Sequence, residues 1–255
     1  MKLSRIFGIA AVMTLLVGGV PVSAAHSWGN YHWARTANPF TLKLGDNVSS
    51  AWDDQLGVAS ADWSLSSVLD TQLTAGATNP KNCRPASGRV EVCNSKYGKN
   101  GWLGVASIWI SGSHITQGTV KLNDTYFNTA QYNTPAWRQF VMCQEVGHTF
   151  GLDHQDENFT NANLGSCMDY TNDPSTNQHP NQHDYDQLEI IYEHLDSTTT
   201  IASADLSSPG KGNDVGDDPA SWGKVIKRSG DGKSSLHEKD LGRGGKVFTF
   251  VIWAE

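Results

Sequence analysis

The 255-residue chain carries 19 basic and 26 acidic residues, a formal net charge of -7 with no basic cluster, which argues against nucleic acid or an anionic membrane surface as partner. Its length suits one main domain plus an appendage. Four cysteines in an exported chain are most simply two disulfides rather than a metal site, because none of them stand in a close Cys-x-x-Cys pair.

Residues 1–24 carry Lys2 and Arg5, an apolar stretch from Ile6 to about Val20, and then Ser23-Ala24-Ala25. This is the pattern of a secretory signal peptide cut after Ala24 or Ala25; an apolar run of about 15 residues is short for a membrane span. The expected product is a secreted, extracellular monomer with no membrane contact after signal cleavage. His26 and His32 follow in an aromatic, polar opening. They read as exposed or stacking side chains near a mobile terminus, although either could reach a metal.

Phe40 to Leu44 alternates apolar and polar residues and reads as a half-buried strand. Asp46-Asn47 reads as a polar cap before a helix from Val48 to Leu65, where Val48, Trp52, Leu56, Ala59 and Trp63 recur at helical spacing. Residues 66–74 form a second expected strand, 76–88 a loop and Arg89 to Cys93 a third strand. Trp102 to Ile110 and Ile115 to Leu122 are two more, joined by a glycine-bearing loop that leaves His114 solvated. Pro135 after Thr134 starts a helix running to Phe150, and Tyr185, Leu188, Ile191, Tyr192 and Leu195 mark one apolar face of a last helix from His183 to Leu195. Beyond it, residues 197–218 have the composition of a linker. Residues 219–255 form a short β-rich extension with strands in Trp222–Ser229 and Gly244–Trp253 around a Gly-Asp-Gly turn. Too small for a core of its own, the extension is expected to dock on the main domain or to stay partly mobile.

The helix from Pro135 concentrates the chemistry. Gln144 and His148 are one turn apart on one face, and Glu145 lies roughly 100° round the axis. Gly151 can take a left-handed conformation, end the helix and return His154 toward the same point. Two imidazoles, an amide oxygen and a carboxylate beside one position are the parts of a metal-hydrolase site. The spacing is Gln-Glu-x-x-His-x-x-Gly-x-x-His, and Ser166-Cys167-Met168-Asp169-Tyr170 follows it.

This pair of motifs resembles the metzincin zinc proteases, whose signature ends in a methionine turn. The Ser-x-Met-x-Tyr form of the turn is similar to that of astacins and serralysins, while other parts look closer to matrixins. The resemblance implies an α+β catalytic domain over residues 25–196: a twisted, mostly parallel sheet with an antiparallel edge strand, two long helices and a C-terminal helix. It implies Zn2+ held by Gln144, His148 and His154, Glu145 as general base, Tyr170 near the metal and Met168 beneath it. A structural Ca2+ has no motif behind it. The Leu103–Ile110 strand would be the edge that pairs with an extended protein or peptide substrate. Of the three possible cysteine pairings, the favoured one joins Cys83 to Cys93 in a short local loop and Cys143 to Cys167, tying the helix to the methionine turn. The one departure is Gln144, whose amide oxygen is a neutral and harder ligand than the imidazole nitrogen of the histidine that the family has there. Two functions follow: a secreted zinc metalloendopeptidase, or a catalytically impaired binding or inhibitory module on the same fold.

Overall fold

A computed structural model describes residues 26–201 and 215–254; the signal segment and most of the expected linker lie outside the described residues. In chain order the elements are β1 (His32–Trp33), β2 (Phe40–Asn47), α1 (Asp53–Trp63), β3 (Leu69–Ala75), β4 (Val90–Ser95), β5 (Trp102–Ser111), β6 (His114–Asn123), α2 (Asp124–Phe127), α3 (Pro135–His148), α4 (Gln182–Ile191), β7 (Lys224–Arg228), β8 (Ser234–Gly242) and β9 (Gly245–Trp253). The fold is mixed α+β. One sheet has the order β3-β2-β4-β6-β5-β9-β8-β7, with β1 added beside the start of β6. Strands β1, β2, β3, β4 and β6 pair in parallel, while β5, β9, β8 and β7 pair antiparallel.

The antiparallel strand expected at the edge is therefore internal. β5 is hydrogen-bonded to β6 on one side and to β9 on the other. Its burial is nearly continuous, as a strand covered on both faces requires. Ala106, Ile108 and Ile110 join the main core under α3. On the opposite face Val105 and Trp109 meet Val247, Val251 and Trp222 in a second apolar cluster. The C-terminal strands thus complete a core on the back of β5, which a short unit could not build alone. Strand β8 has no counterpart in the sequence reading: Ser234–Gly242 is polar and shows no alternation.

Local chemistry explains the helix boundaries. Thr134 caps α3 by accepting from the Trp137 N–H, with Pro135 in the first turn. α1 begins later than its apolar spacing suggests. Asn47 is not a cap but the buried end of β2; its amide donates to Glu91 Oε2 at 2.6 Å. α4 opens with a capping box between Asn181 and Asp184, and it closes at Ile191, short of the expected Leu195, where the chain turns back toward Arg35. Disulfides join Cys83 to Cys93 and Cys143 to Cys167.

α1 packs on α3 through Trp63, whose indole N–H donates to the Cys143 carbonyl at 3.2 Å. The helices approach closely because residue 147 has no side chain. A Cβ there would lie 2.7 Å from both Met168 Sδ and Trp63 Cζ2. Gly147→Ala is therefore expected to lower stability by about 1–3 kcal/mol, overpacking outweighing the better helix propensity of alanine. Thermal denaturation checks this, and an unchanged midpoint would show that Met168 and Trp63 can yield.

Candidate metal centre

The C-terminal half of α3 is buried throughout, with Gln144, Glu145 and His148 each at most 1% exposed. Gln144 donates from Nε2 to the Cys167 carbonyl at 2.9 Å, one peptide away from the Cys143–Cys167 disulfide. Its Oε1 has no partner. His148 Nδ1 lies 2.9 Å from the Leu152 carbonyl; a carbonyl only accepts, so Nδ1 carries the hydrogen and Nε2 is left as a lone pair. Gly151, at φ +97°, makes the turn after α3, and a Cβ there would lie 2.4 Å from the Tyr31 carbonyl. The turn brings the His154 ring to 4.4 Å from that of His148, at 80°. His154 Nδ1 faces Asp153 Oδ1 at 3.3 Å and Glu157 Oε1 at 3.6 Å, while Nε2 is buried without a partner.

Met168 is fully buried below α3, and its N–H donates to Ser166 Oγ at 2.9 Å. Ser166 Oγ donates in turn to Asp184 Oδ2 at 2.6 Å. Tyr170 is buried with its ring 3.9 Å from His154 and 4.4 Å from Phe159. Gln144, Glu145, His148, His154, Met168 and Tyr170 therefore gather around one end of α3. The unpartnered Gln144 Oε1, Glu145 Oε2 and His154 Nε2 are a set of polar atoms for which burial is costly unless something satisfies them. Two imidazoles and an amide oxygen fit a divalent metal of zinc's type.

Burial dominates the electrostatics. It raises the Glu145 carboxyl well above its ordinary value, partly offset by a hydrogen bond from the Ala106 N–H. The same desolvation, with the neighbouring His154, holds His148 well below the usual imidazole range. Tyr170 is pushed up by burial and held by Ser234. Burial alone would raise Asp153, but His154 and Lys227 keep its carboxyl low. Lys227 reaches Asp153 Oδ2 at 2.8 Å and Glu157 Oε1 at 2.9 Å.

The C-terminal extension supplies part of the site. Phe250 of β9 stacks on His148 at 4.3 Å and 9°, Ser234 begins β8 and Lys227 lies on β7. Between Asp153, His154, Glu157, Tyr170, Lys227 and Phe250 lies a cavity of about 10 Å³, room for about one water, and an open cleft of about 690 Å³ borders His154, Glu157 and Lys227 on the outside. Sequence reading missed this cover; its only signal was the apolar run in β9. His26 also departs from expectation. It is buried, with its N–H on Gln187 Oε1 and its carbonyl accepting from the Asp153 N–H, so the opening segment braces the loop that carries His154.

No family model and no curated protein matches the chain. Among solved structures, it is similar to high choriolytic enzyme 1, a hatching enzyme zinc-protease from the medaka fish Oryzias latipes. The TM-score is 0.34 at 9% identity, over 64% of this chain and 94% of that one.

The raised Glu145 fixes a pH dependence. Between its ordinary value near 4.5 and its raised value, the folded chain keeps a proton that the unfolded chain has lost, so stability falls as pH rises through that window. In chelator, Glu145→Gln is expected to melt above the parent at pH 7 to 8 and to coincide with it at pH 4. Parallel melting curves at all pH values would show that the carboxyl is not desolvated.

Proposed function

We propose that the chain is a secreted, metzincin-like zinc peptidase whose site its own C-terminal strands hold closed. One observation carries the reading: Gln144, Glu145 and His154 present buried polar atoms without partners beside His148, whose ring is already oriented with Nε2 free. Gln144 Oε1, His148 Nε2 and His154 would hold the metal. Bound zinc supplies Lewis acidity toward a scissile carbonyl and acidifies water. Glu145, raised by its apolar surroundings, would take the water's proton and return it to the leaving amine. Tyr170, released from Ser234, would donate to the developing oxyanion. Two disulfides accord with an extracellular destination, and no helix among the described residues is long and apolar enough to cross a membrane.

The expected substrate is an extended peptide, and its natural place beside β5 is taken by β9 in antiparallel register. Cleavage therefore requires the hairpin to move. The same fact favours a second reading, a binding or inhibitory module that has lost catalysis, with Gln144 as the lesion.

Elemental analysis and casein cleavage separate the two. The full chain is expected to take up zinc here and to cleave weakly. Phe250→Ala, which removes the ring over His148, is expected to raise chelator-sensitive cleavage by about tenfold. Glu145→Ala in either background should lower it by about 100-fold or more. Folded Phe250→Ala protein that cleaves nothing would support the second reading, as would activity appearing only in Gln144→His.

A further inference from the structure

A second cluster of histidines lies away from this site. Asp196, just beyond α4, has two differently used oxygens. Oδ2 accepts from the Arg35 N–H at 3.1 Å and from Arg35 Nη1 at 2.9 Å. Oδ1 faces three imidazoles: His114 Nε2 at 3.2 Å, His32 Nε2 at 3.4 Å and His194 Nε2 at 3.9 Å. The sequence reads His32 as an exposed or stacking side chain that could reach a metal and His114 as a solvated one; His32 is 3% exposed and its backbone pairs with that of His114 where β1 joins β6.

The decisive detail is the other nitrogen of His32. Nδ1 lies 2.7 Å from the Asn30 carbonyl, which only accepts, so Nδ1 holds the hydrogen. A neutral His32 therefore aims a bare lone pair at a carboxylate oxygen. Two negative ends facing each other in a buried position repel, and only a positive species between them, a second proton on the ring or a metal cation, removes the repulsion.

Geometry points to the metal. With bonds of 2.0–2.1 Å, the donor atoms around tetrahedral zinc lie about 3.3 Å apart. The separations of 3.2 and 3.4 Å from Asp196 Oδ1 to His114 and His32 are close to two edges of such a tetrahedron, and one atom from each of the three residues lies within 4.8 Å of the other two; His194, at 3.9 Å, stands outside this trio. Nδ1 of His32 on a carbonyl is the outer support that metal-bound histidine usually has. The cluster also has an approach: His32 and His194 line a cavity of about 370 Å³, and His194 is half exposed. The other two groupings of this kind are accounted for without an ion. Asp184 is used by Ser166 and the α4 capping box, and Asp153 and Glu157 by Lys227.

We propose that His32, His114 and Asp196 form a structural metal site taking Zn2+ or a similar divalent cation. It would bind the start of β1, the start of β6 and the chain leaving α4 to one point. The proposal does not depend on peptidase activity.

Zinc titration of the full chain, after chelation and desalting, tests it beside His114→Ala, His194→Ala and His148→Ala. The first two remove exposed or half-exposed rings and leave Asp196 paired with Arg35. The expected result is loss of one zinc equivalent, or weakening by about 100-fold or more, in His114→Ala, with His194→Ala close to the parent. That exceeds the usual effect of losing an outer-shell partner. Zinc should also raise the melting temperature of His148→Ala, and Co2+ should give it the visible bands of a four-coordinate site. Equal zinc stoichiometry and affinity in the parent and His114→Ala would overturn the proposal, leaving a proton on His32 as the neutralising charge. A change confined to His148→Ala would speak only to the α3 centre.

Discussion

The antiparallel pairing of β5 with β9 is the constraint on which the character of the site depends. Its register sets Ala106 opposite Phe250 and Ser107 opposite Thr249. Because side chains alternate along a strand, this puts Phe248, Phe250 and Ile252 on the face toward α3 and Val247 and Val251 on the other. Ala106 donates its N–H to Glu145, and Phe250, its partner across the ladder, lies over His148. A slip by one residue would exchange the two faces of β9, leaving His148 uncovered and the back of β5 without Val247 and Val251. Burial of the base, the lowered imidazole and the closed cavity thus share one cause, a strand addition made within a single chain.

Below α3 a second system fixes the floor. Asp184 accepts from Ser166 and from the backbone of Asn181, and Gln155 reaches it at 3.0 Å. It therefore joins the methionine turn, the cap of α4 and the loop after His154. The Cys143–Cys167 disulfide joins the same turn to α3. Gln144 belongs to this floor: its amide nitrogen holds the Cys167 carbonyl, which determines where its oxygen points. An imidazole could ligate through one nitrogen and anchor through the other. In the proposed zinc site the glutamine would divide those tasks between its nitrogen and oxygen, offering a weaker oxygen donor while its nitrogen keeps the anchor.

What was legible in the sequence is what local spacing controls. Thr134-Pro135 and the Gln144, Glu145, His148, Gly151 and His154 offsets define α3 and its exit turn, since cap, helical period and left-handed glycine act within a few residues. The parallel strands β2 and β4 were readable from alternation. β5 was readable as a strand but not as an internal one, because what covers it is more than a hundred residues away in the chain. β8 escaped because its pairing with β9 and β7, not apolar alternation, makes it a strand. The burial of His26 and His32 and the ion pair of His114 were not legible for a related reason, although the stacking expected of the first two is present. Their surroundings come from Gln187, Asp184 and Asp196, and nothing near them in sequence announces those contacts.

Extending the sheet past β5 also changes which backbone faces solvent. An apolar strand such as β5, left with open hydrogen-bonding groups, would invite association with other copies. The sheet instead ends at β7, five residues long and carrying Lys224, Lys227 and Arg228. A terminus only five residues long offers a short template for further strands. The C-terminal segment therefore also serves solubility, and any partner or protease that detached it would expose a surface prone to aggregate.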